Sequence, residues 1–255
     1  MSTIFITMDM HGDFKRLSRK SLLKANLTLT EDDYLLVGGD FGLLWCYDKE
    51  YEYNIKWLGN LPFTILWIQG NHENYNMIKD FNIEYWNGGK VRHIVRDKII
   101  LLERGQVFNI NGKTFFTFGG AESNDIEGGI LDRNDANFKA KKKILNKRKV
   151  NYRILNESWW KEELPSEEEI QEGITNLEKV NYKVDYIITH CASVSMQNKL
   201  CVGSHKNKVN ILTEFLDKIE KEVDYKYWYF GHYHLDREIS ENQICLYRDI
   251  VEIKE

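Results

Sequence analysis

Residues 3–14, TIFITMDMHGDF, join a short apolar run directly to a cluster of ionisable side chains. The run 3–7 is rich in the β-branched and aromatic residues that are typical of a buried strand. Asp9, His11 and Asp13 follow it at once, and such groups are costly to bury unless something pairs with them. The stretch therefore predicts a strand with a functional site at its carboxyl end.

Four further apolar runs end in the same manner. They are rich in Ile, Val, Tyr and Trp and are bounded by Gly or polar residues, which is typical of buried strands. They read DYLLVGGD (33–40), FTILWIQGNHE (63–73), VDYIITH (184–190) and YKYWYFGHYH (225–234). Five of the seven histidines lie at these five strand ends. Since the carboxyl ends of strands converge at one edge of an α/β sheet, we expect these side chains to meet.

The segments between the strands predict helices and one hairpin. Apolar residues at helical spacing favour helices over 48–61 and 209–223. Asn111-Gly112 between two alternating runs predicts a type I′ turn. Ser166 and Glu169 have the spacing of a helix capping box. Strands, helices and a hairpin in one chain predict an α/β layered fold.

Composition limits the domain count and the function classes. With 255 residues, of which 42% are hydrophobic and 29% charged, the chain is predicted to be one globular domain, 1–255. Residues 128–183 interrupt the strand rhythm and predict a mostly helical, charge-rich insertion within it. A net charge of −4 gives no general attraction to nucleic acid or to anionic membranes.

Targeting signals and cysteine usage predict the compartment. No apolar run approaches the roughly 20 residues of a membrane helix, and the amino terminus lacks a signal-peptide pattern. Four cysteines without CxxC spacing indicate neither a zinc ribbon nor a disulfide framework, so we expect a cytoplasmic protein with reduced thiols. They are Cys46, Cys191, Cys201 and Cys245.

The side chains at the five strand ends are of the kinds that bind transition metals. A lone His or Asp at a strand end is more often structural, but five runs that end alike favour a shared site. Imidazole, carboxylate and amide ligands together suit Mn, Fe or Zn, and there are enough for two ions bridged by a carboxylate. Two such ions clamp the oxygens of a displacement at phosphorus and supply hydroxide near neutral pH. The side chains are Asp9, His11, Asp40, Asn71, His72, His190, His232 and His234.

In this order the motifs resemble those of the calcineurin-like metallophosphoesterase superfamily. They are DMHGD (9–13), GGDFG (38–42), GNHE (70–73), TH (189–190) and GHYH (231–234), and the set spans residues 9–234. NGGKV, FTFGGA and SWWKEELPSEEE are similar to stretches of a bacterial and phage group of small members that have no clear substrate. The resemblance implies a two-sheet β-sandwich flanked by helices, of αββα type.

The resemblance also implies a role for each motif residue. Two divalent ions would share the carboxylate of Asp40. His72 would bind no metal but would face the leaving-group oxygen, as a general acid or as a cationic clamp on the phosphoryl group. The other ligands divide between the two ions: Asp9, His11 and His234 for the first, and Asn71, His190 and His232 for the second.

One part of the family pattern is missing from this chain. Many members have an acidic residue three places after the bridging Asp, often followed by Arg, where this chain has Leu43 and Leu44. This departure argues against the phosphoprotein phosphatase branch. Arg153 and Arg133 are candidate replacements for the phosphate-binding Arg, because a guanidinium binds phosphate bidentately; the alternative for each is a structural or surface role. The carboxylate that orients His72 is left open among Glu73, Glu103 and Asp125.

We therefore expect a dinuclear metal-dependent phosphoesterase, with a phosphodiester or nucleotide favoured over a phosphomonoester as its substrate. No membrane partner is expected, and the oligomeric state is open. The alternative is a catalytically silent metal-binding scaffold or RNA-binding protein on the same fold. Its only positive support is the Lys-rich stretch 139–149, which on the simpler interpretation is a solvated helix face. A single structural metal is a third interpretation.

Overall fold

Two β-sheets packed face to face form the centre of the molecule, and helices cover their outer faces. The computed structural model describes residues 2–200 and 209–255. Of the four cysteines, Cys201 lies outside the described residues. The arrangement confirms the predicted αββα sandwich.

The strands of the described residues divide into a seven-stranded sheet, a six-stranded sheet and a short pair. They are β1 (Ile4–Thr7), β2 (Tyr34–Gly38), β3 (Thr64–Ile68), β4 (Glu84–Trp86), β5 (Gly89–Val95), β6 (Ile99–Leu102), β7 (Gln106–Ile110), β8 (Lys113–Phe118), β9 (Ile130–Leu131), β10 (Arg153–Ile154), β11 (Lys183–Thr189), β12 (Asp224–Phe230), β13 (Arg237–Glu238), β14 (Gln243–Cys245) and β15 (Val251–Glu252). The first sheet has the order β15-β1-β2-β3-β6-β5-β4 and the second the order β13-β14-β12-β11-β8-β7, while β9 pairs with β10. The central strands of each sheet are parallel and the edge strands antiparallel.

Seven α-helices occur in the described part of the chain. They are α1 (Arg19–Lys24), α2 (Lys49–Gly59), α3 (Tyr75–Lys79), α4 (Phe138–Arg148), α5 (Glu167–Lys179), α6 (Val194–Leu200) and α7 (Ile211–Glu222). Two 3₁₀ turns, Phe14–Leu17 and Lys161–Glu163, complete the set. No helix of the described residues is long and apolar enough to cross a membrane.

The central strands are buried on both faces, which explains why their sequences are unbroken apolar runs rather than alternating ones. In β1, Ile6 lies between the sheets, while Phe5 packs in the layer under the helices. In β12, Tyr229 lies between the sheets, and Trp228 packs in the layer on the other outer face. The alternation produces three apolar layers, and these hold the strand ends in place.

The predicted helices, hairpin and capping box are confirmed. Asp48 caps α2 by accepting a hydrogen bond from the Tyr51 N–H, and α7 occupies most of 209–223. Asn111 and Gly112 both have positive φ, at 53° and 76°, as a type I′ turn between β7 and β8 requires. The capping box at Ser166 begins α5. Each of these depends on a few neighbouring residues, which is why the sequence alone predicts it.

Residues 128–183 contain two unlike helices. The basic helix α4 has no buried residue, whereas α5 buries Gly173 and Leu177 against the second sheet. Between them the 3₁₀ turn carries the buried side chain of Glu163. Buried Arg104 donates hydrogen bonds to the Glu162 carbonyl at 2.6 Å and to the Glu169 carboxylate at 3.2 Å, so it fastens this stretch to the body of the fold.

Candidate dinuclear metal centre

Five parallel strands bring their carboxyl ends to one edge of the sandwich. In the first sheet β1, β2 and β3 are neighbours, and in the second β11 and β12 are neighbours. Each of the predicted ligands follows one of these strands by four residues or fewer. The predicted ligands from both sheets therefore lie at the same edge of the sandwich.

The loops that carry the ligands have a strained backbone. Asp9, His11, Asp40, His232 and His234 have φ between 46° and 71°, a region that side chains other than glycine rarely adopt. Such a conformation costs about 1–2 kcal/mol per residue, so it persists where the surroundings enforce it, most often at functional sites. Here it turns carboxylates and imidazoles toward one another.

Two glycines of the motifs make room for carboxylates. A Cβ at Gly70 would lie 2.0 Å from Asp40 Oδ1, and a Cβ at Gly231 would lie 2.5 Å from Asp9 Oδ2. Any side chain would displace the carboxylate. The glycines of GNHE and GHYH are therefore part of the site.

The first group of ligands is formed by Asp9, His11 and His234. Their donor atoms all lie within 4.8 Å of one another. His11 Nε2 is 3.0 Å from His234 Nε2, and His234 Nε2 is 3.7 Å from Asp9 Oδ1. Two imidazole nitrogens and one carboxylate oxygen at this spacing could hold a divalent ion.

The second group gathers around the side-chain oxygen of Asn71. This oxygen lies 3.2 Å from His190 Nε2 and 3.0 Å from His232 Nδ1. His190 is fully buried, and its Nδ1–H donates to the Gly38 carbonyl at 2.9 Å. That bond directs Nε2 at the site, where it can hold either a proton or a metal ion.

Asp40 lies between the two groups. Its Oδ2 is 3.7 Å from His11 Nε2 of the first group and 3.5 Å from His190 Nε2 of the second. Its Oδ1 accepts a hydrogen bond of 2.7 Å from the His72 backbone N–H. A single oxygen of Asp40 thus faces both groups, which is the position of a bridging ligand.

Buried charge makes this edge a good place for cations. Burial raises the pKa of the Asp9 carboxyl to about 7, since desolvation disfavours its charged form. Burial acts in the same direction on Asp40, but attraction and a hydrogen bond from His190 outweigh it and hold its pKa low. Burial alone would lower the pKa of His190, but the Asp40 carboxylate raises it to about 9. Divalent ions would replace the protons that these groups otherwise share.

Two residues that the sequence did not single out orient the ligand Asn71. Its Nδ2 donates to Ser123 Oγ at 3.3 Å, which turns its Oδ1 toward the two histidines. The Ser123 N–H in turn donates to Glu163 Oε2 at 3.2 Å, and both residues are buried. Ser123 lies in none of the motifs, and although Glu163 lies in the stretch SWWKEELPSEEE, nothing in that stretch marks it as a partner of Asn71.

The histidine of GNHE faces an ion pair. Arg153 donates from Nε to Asp125 Oδ1 at 2.9 Å and from Nη2 to Asp125 Oδ2 at 2.6 Å. The same Nη2 is 3.4 Å from His72 Nε2. His11, Trp45 and Arg153 line a small cavity of about 210 Å³ together with His72. Of the two candidate arginines, Arg153 is thus brought to the site.

The other candidates lie elsewhere. The Arg133 side chain is 60% exposed, and its Nη2 donates to Glu157 at 2.8 Å. Glu73 accepts from the Phe41 N–H at 2.9 Å, and Glu103 pairs with Arg92. Among the carboxylates considered for His72, Asp125 is the one that reaches it, through Arg153.

Comparison with known proteins places the chain in a family. No curated protein matches it. Phosphopantetheinyl hydrolase from Mycobacterium tuberculosis aligns over 96% of this chain and 88% of its own, with 15% identity and a TM-score of 0.43. A putative 5′-nucleotidase from Staphylococcus aureus, solved with alpha-ketoglutarate, aligns over 97% of this chain and 49% of its own, with 14% identity and a TM-score of 0.42. The sequence model of the calcineurin-like phosphoesterases matches residues 2–236. The chain belongs to the calcineurin-like phosphoesterase family.

Proposed function

We propose that the protein hydrolyses a phosphodiester or a nucleotide with the help of two divalent ions, Mn, Fe or Zn. The observation that carries the proposal is the position of Asp40 Oδ2, 3.7 Å from His11 Nε2 and 3.5 Å from His190 Nε2. A carboxylate oxygen between two sets of donors suits a pair of ions better than a single structural one.

The donor set supports this assignment chemically. Asp9, His11 and His234 would hold one ion, and Asn71, His190 and His232 the other, with Asp40 shared. Bound there, the ions would polarise a phosphoryl oxygen and lower the pKa of a water molecule. The ligands themselves keep the imidazole and carboxylate lone pairs aimed inward through the buried hydrogen bonds of His190 and Asn71.

Arg153 would bind the phosphoryl group. Asp125 occupies two of its N–H groups and so holds the guanidinium plane beside the cavity that His11 and His72 line. A guanidinium offers five donors, so further N–H groups can turn to a phosphoryl oxygen while the Asp125 pair persists. It thereby replaces the arginine that many family members carry after the bridging Asp.

His72 would act on the leaving-group oxygen. Because a guanidinium cannot accept a hydrogen bond, the 3.4 Å contact makes His72 Nε2 the acceptor and puts the proton of the neutral ring on Nδ1. When a phosphoryl oxygen takes the Arg153 Nη2 hydrogen bond, Nε2 is released. His72 can then take up a proton from solvent at Nε2, pass it to the departing oxygen and return to the neutral ring.

Two finer points complete the proposal. A diester or nucleotide is favoured because Leu43 and Leu44, both buried, stand where phosphoprotein phosphatases carry an acid and an arginine. A reducing, cytoplasmic location is favoured by the cysteines, of which Cys46, Cys191 and Cys245 are free thiols.

Hydrolysis of two nitrophenyl esters tests the function. Metal-stripped protein is supplied with Mn²⁺ and assayed on bis-p-nitrophenyl phosphate and on p-nitrophenyl phosphate. We expect turnover that depends on the metal, with the diester cleaved faster than the monoester. If neither ester is cleaved although two ions per chain are bound, the protein is a metal-binding scaffold, and salt-sensitive RNA binding by the basic helix α4 becomes the next measurement.

A further inference from the structure

An open cleft of about 300 Å³ adjoins the proposed reaction site at His11. The buried side chains of Phe14 and Leu43 form its base, and Trp45 and Tyr51 stand along it. Its exposed rim carries the polar side chains Asp48, Glu50 and Asn54. The cleft therefore combines apolar and aromatic side chains along its base with polar side chains at its mouth.

The cleft adjoins the cavity beside His72 and Arg153. Both are lined by His11, Gly42 and Trp45. A molecule whose phosphoryl group lies between His72 and Arg153 can thus extend its organic part past Trp45 into the cleft.

Trp45 is exposed yet held rigidly. The residue is 38% exposed. Its indole packs edge-on against buried Trp160, with ring centroids 5.6 Å apart and an interplanar angle of 78°. Asn74 donates hydrogen bonds to the carbonyls of Leu44 at 3.1 Å and Trp45 at 2.8 Å, which pins the loop. A preorganised aromatic face loses little entropy when it binds a flat ligand.

The rim sets the chemistry of that ligand. Asp48 is held in place, since its carboxylate accepts from the Tyr51 N–H at 2.8 Å and from Cys46 Sγ at 3.0 Å. Glu50 adds a second carboxylate, and the Asn54 amide can both donate and accept. Two carboxylates repel a second anionic group and favour a ring that carries N–H donors.

We infer that this cleft binds the base of a nucleotide substrate, a planar nitrogen heterocycle with an amino group stacked on Trp45. The inference rests on the proposed function, because it takes the phosphoryl group to lie at His72 and Arg153. It narrows the substrate class from phosphoesters in general to esters of amino-bearing bases such as adenine or cytosine.

A pair of ligands that differ only in the base tests the inference. The hydrolysis-resistant methylenephosphonate analogues of adenosine 5′-monophosphate and of ribose 5-phosphate are titrated into the Mn²⁺-loaded protein by calorimetry. We expect the adenosine analogue to bind at least about tenfold more tightly, which corresponds to about 1.4 kcal/mol. Trp45→Ala should abolish the difference between the two analogues, while Trp45→Phe should keep most of it.

Tyr53→Ala is the matched control, because Tyr53 is a 67% exposed aromatic residue of helix α2, which carries Tyr51, and does not itself line the cleft. It should change neither affinity. Equal affinities of the two analogues for the unsubstituted protein, or a preference that survives in Trp45→Ala, would overturn the inference while leaving the phosphoesterase intact. If the ribose analogue does not bind although bis-p-nitrophenyl phosphate is hydrolysed, the placement of the phosphoryl group is wrong and the inference fails; if the diester is not hydrolysed either, the proposed function fails as well.

Discussion

Two parts of the site are positioned in different ways. One is the edge of the sandwich that carries the candidate metal ligands, and the other is the group of residues facing His72, which we call the wall. Every ligand of the edge follows a buried parallel strand within four residues, so the core places it. The wall consists of Trp45, Asp125 and Arg153, which come from segments between the core strands and meet through an ion pair and a shared cavity. The edge depends on strand order, whereas the wall depends on contacts between distant loops.

This difference affects how freely the residues of the edge and of the wall can be substituted. The ligands that directly follow the core strands tolerate few substitutions around them, because a side chain at Gly70 or Gly231 would displace a carboxylate. The wall can vary without disturbing the strands. We therefore expect the edge to determine that the protein cleaves a phosphoester, and the wall to determine which one.

The largest effect is expected at the residue that joins the two metal groups. Asp40→Asn removes the shared charge, so metal-dependent hydrolysis of bis-p-nitrophenyl phosphate should fall to background and the bound metal to less than two ions per chain. Elemental analysis with the nitrophenol assay measures both, and circular dichroism checks the fold. Undiminished turnover would show that Asp40 does not bridge.

A smaller effect is expected at the wall. Arg153→Ala should lower kcat/KM by about 10²-fold, the cost of removing one preorganised donor, without changing the bound metal. Arg133→Ala is the control, because Arg133 is exposed and paired with Glu157, and kcat/KM should stay within about twofold. Equal losses in the two variants, or loss of metal in Arg153→Ala, would contradict a separate phosphoryl-binding wall.

A weaker effect is expected at Ser123 and Glu163, the hydrogen-bonded residues that orient Asn71. Glu163→Ala removes the acceptor that holds Ser123 and should lower Mn²⁺ affinity at one of the two sites by about 10-fold. Burial raises the pKa of Glu163 to about 8, so the side chain is largely neutral at pH 7 and Glu163→Gln should retain the affinity. Two-site calorimetric titration distinguishes them; an equal loss in both variants would argue against a positioning role.

A prediction of a different kind concerns how the free energy of unfolding of the metal-free protein depends on pH. Because burial raises the pKa of Glu163 from 4.5 to about 8, the unfolded chain releases this proton at lower pH than the folded one. The free energy of unfolding therefore falls as pH rises from about 4.5 to about 8, by up to about 1.4 kcal/mol per pH unit from this group. Glu163→Gln should lose this contribution in urea titrations at pH 5 and pH 8. Parallel pH profiles would show that Glu163 ionises normally.

The sequence pattern predicted an α/β layered fold and singled out the side chains that meet at the edge, and the resemblance to the metallophosphoesterases added the αββα sandwich. Buried strands are unbroken apolar runs, and their ends are marked by Gly, Asp, Asn and His within a few positions. The strained φ values of Asp9, His11 and Asp40 left no signal, since those residue types also occur in ordinary loops.

Only the tertiary structure showed that Arg153 lies beside His72 and pairs with Asp125, that exposed Arg133 pairs with Glu157, and that Glu163 lies behind Asn71. Arg153 is 81 residues from His72 along the chain, and Glu163 is 40 residues from Ser123. Strand periodicity and turn chemistry act over a few residues, so the sequence determines which side chains follow the end of each strand. Contacts between irregular segments are set by packing and by buried hydrogen bonds, which exist only once the chain has folded.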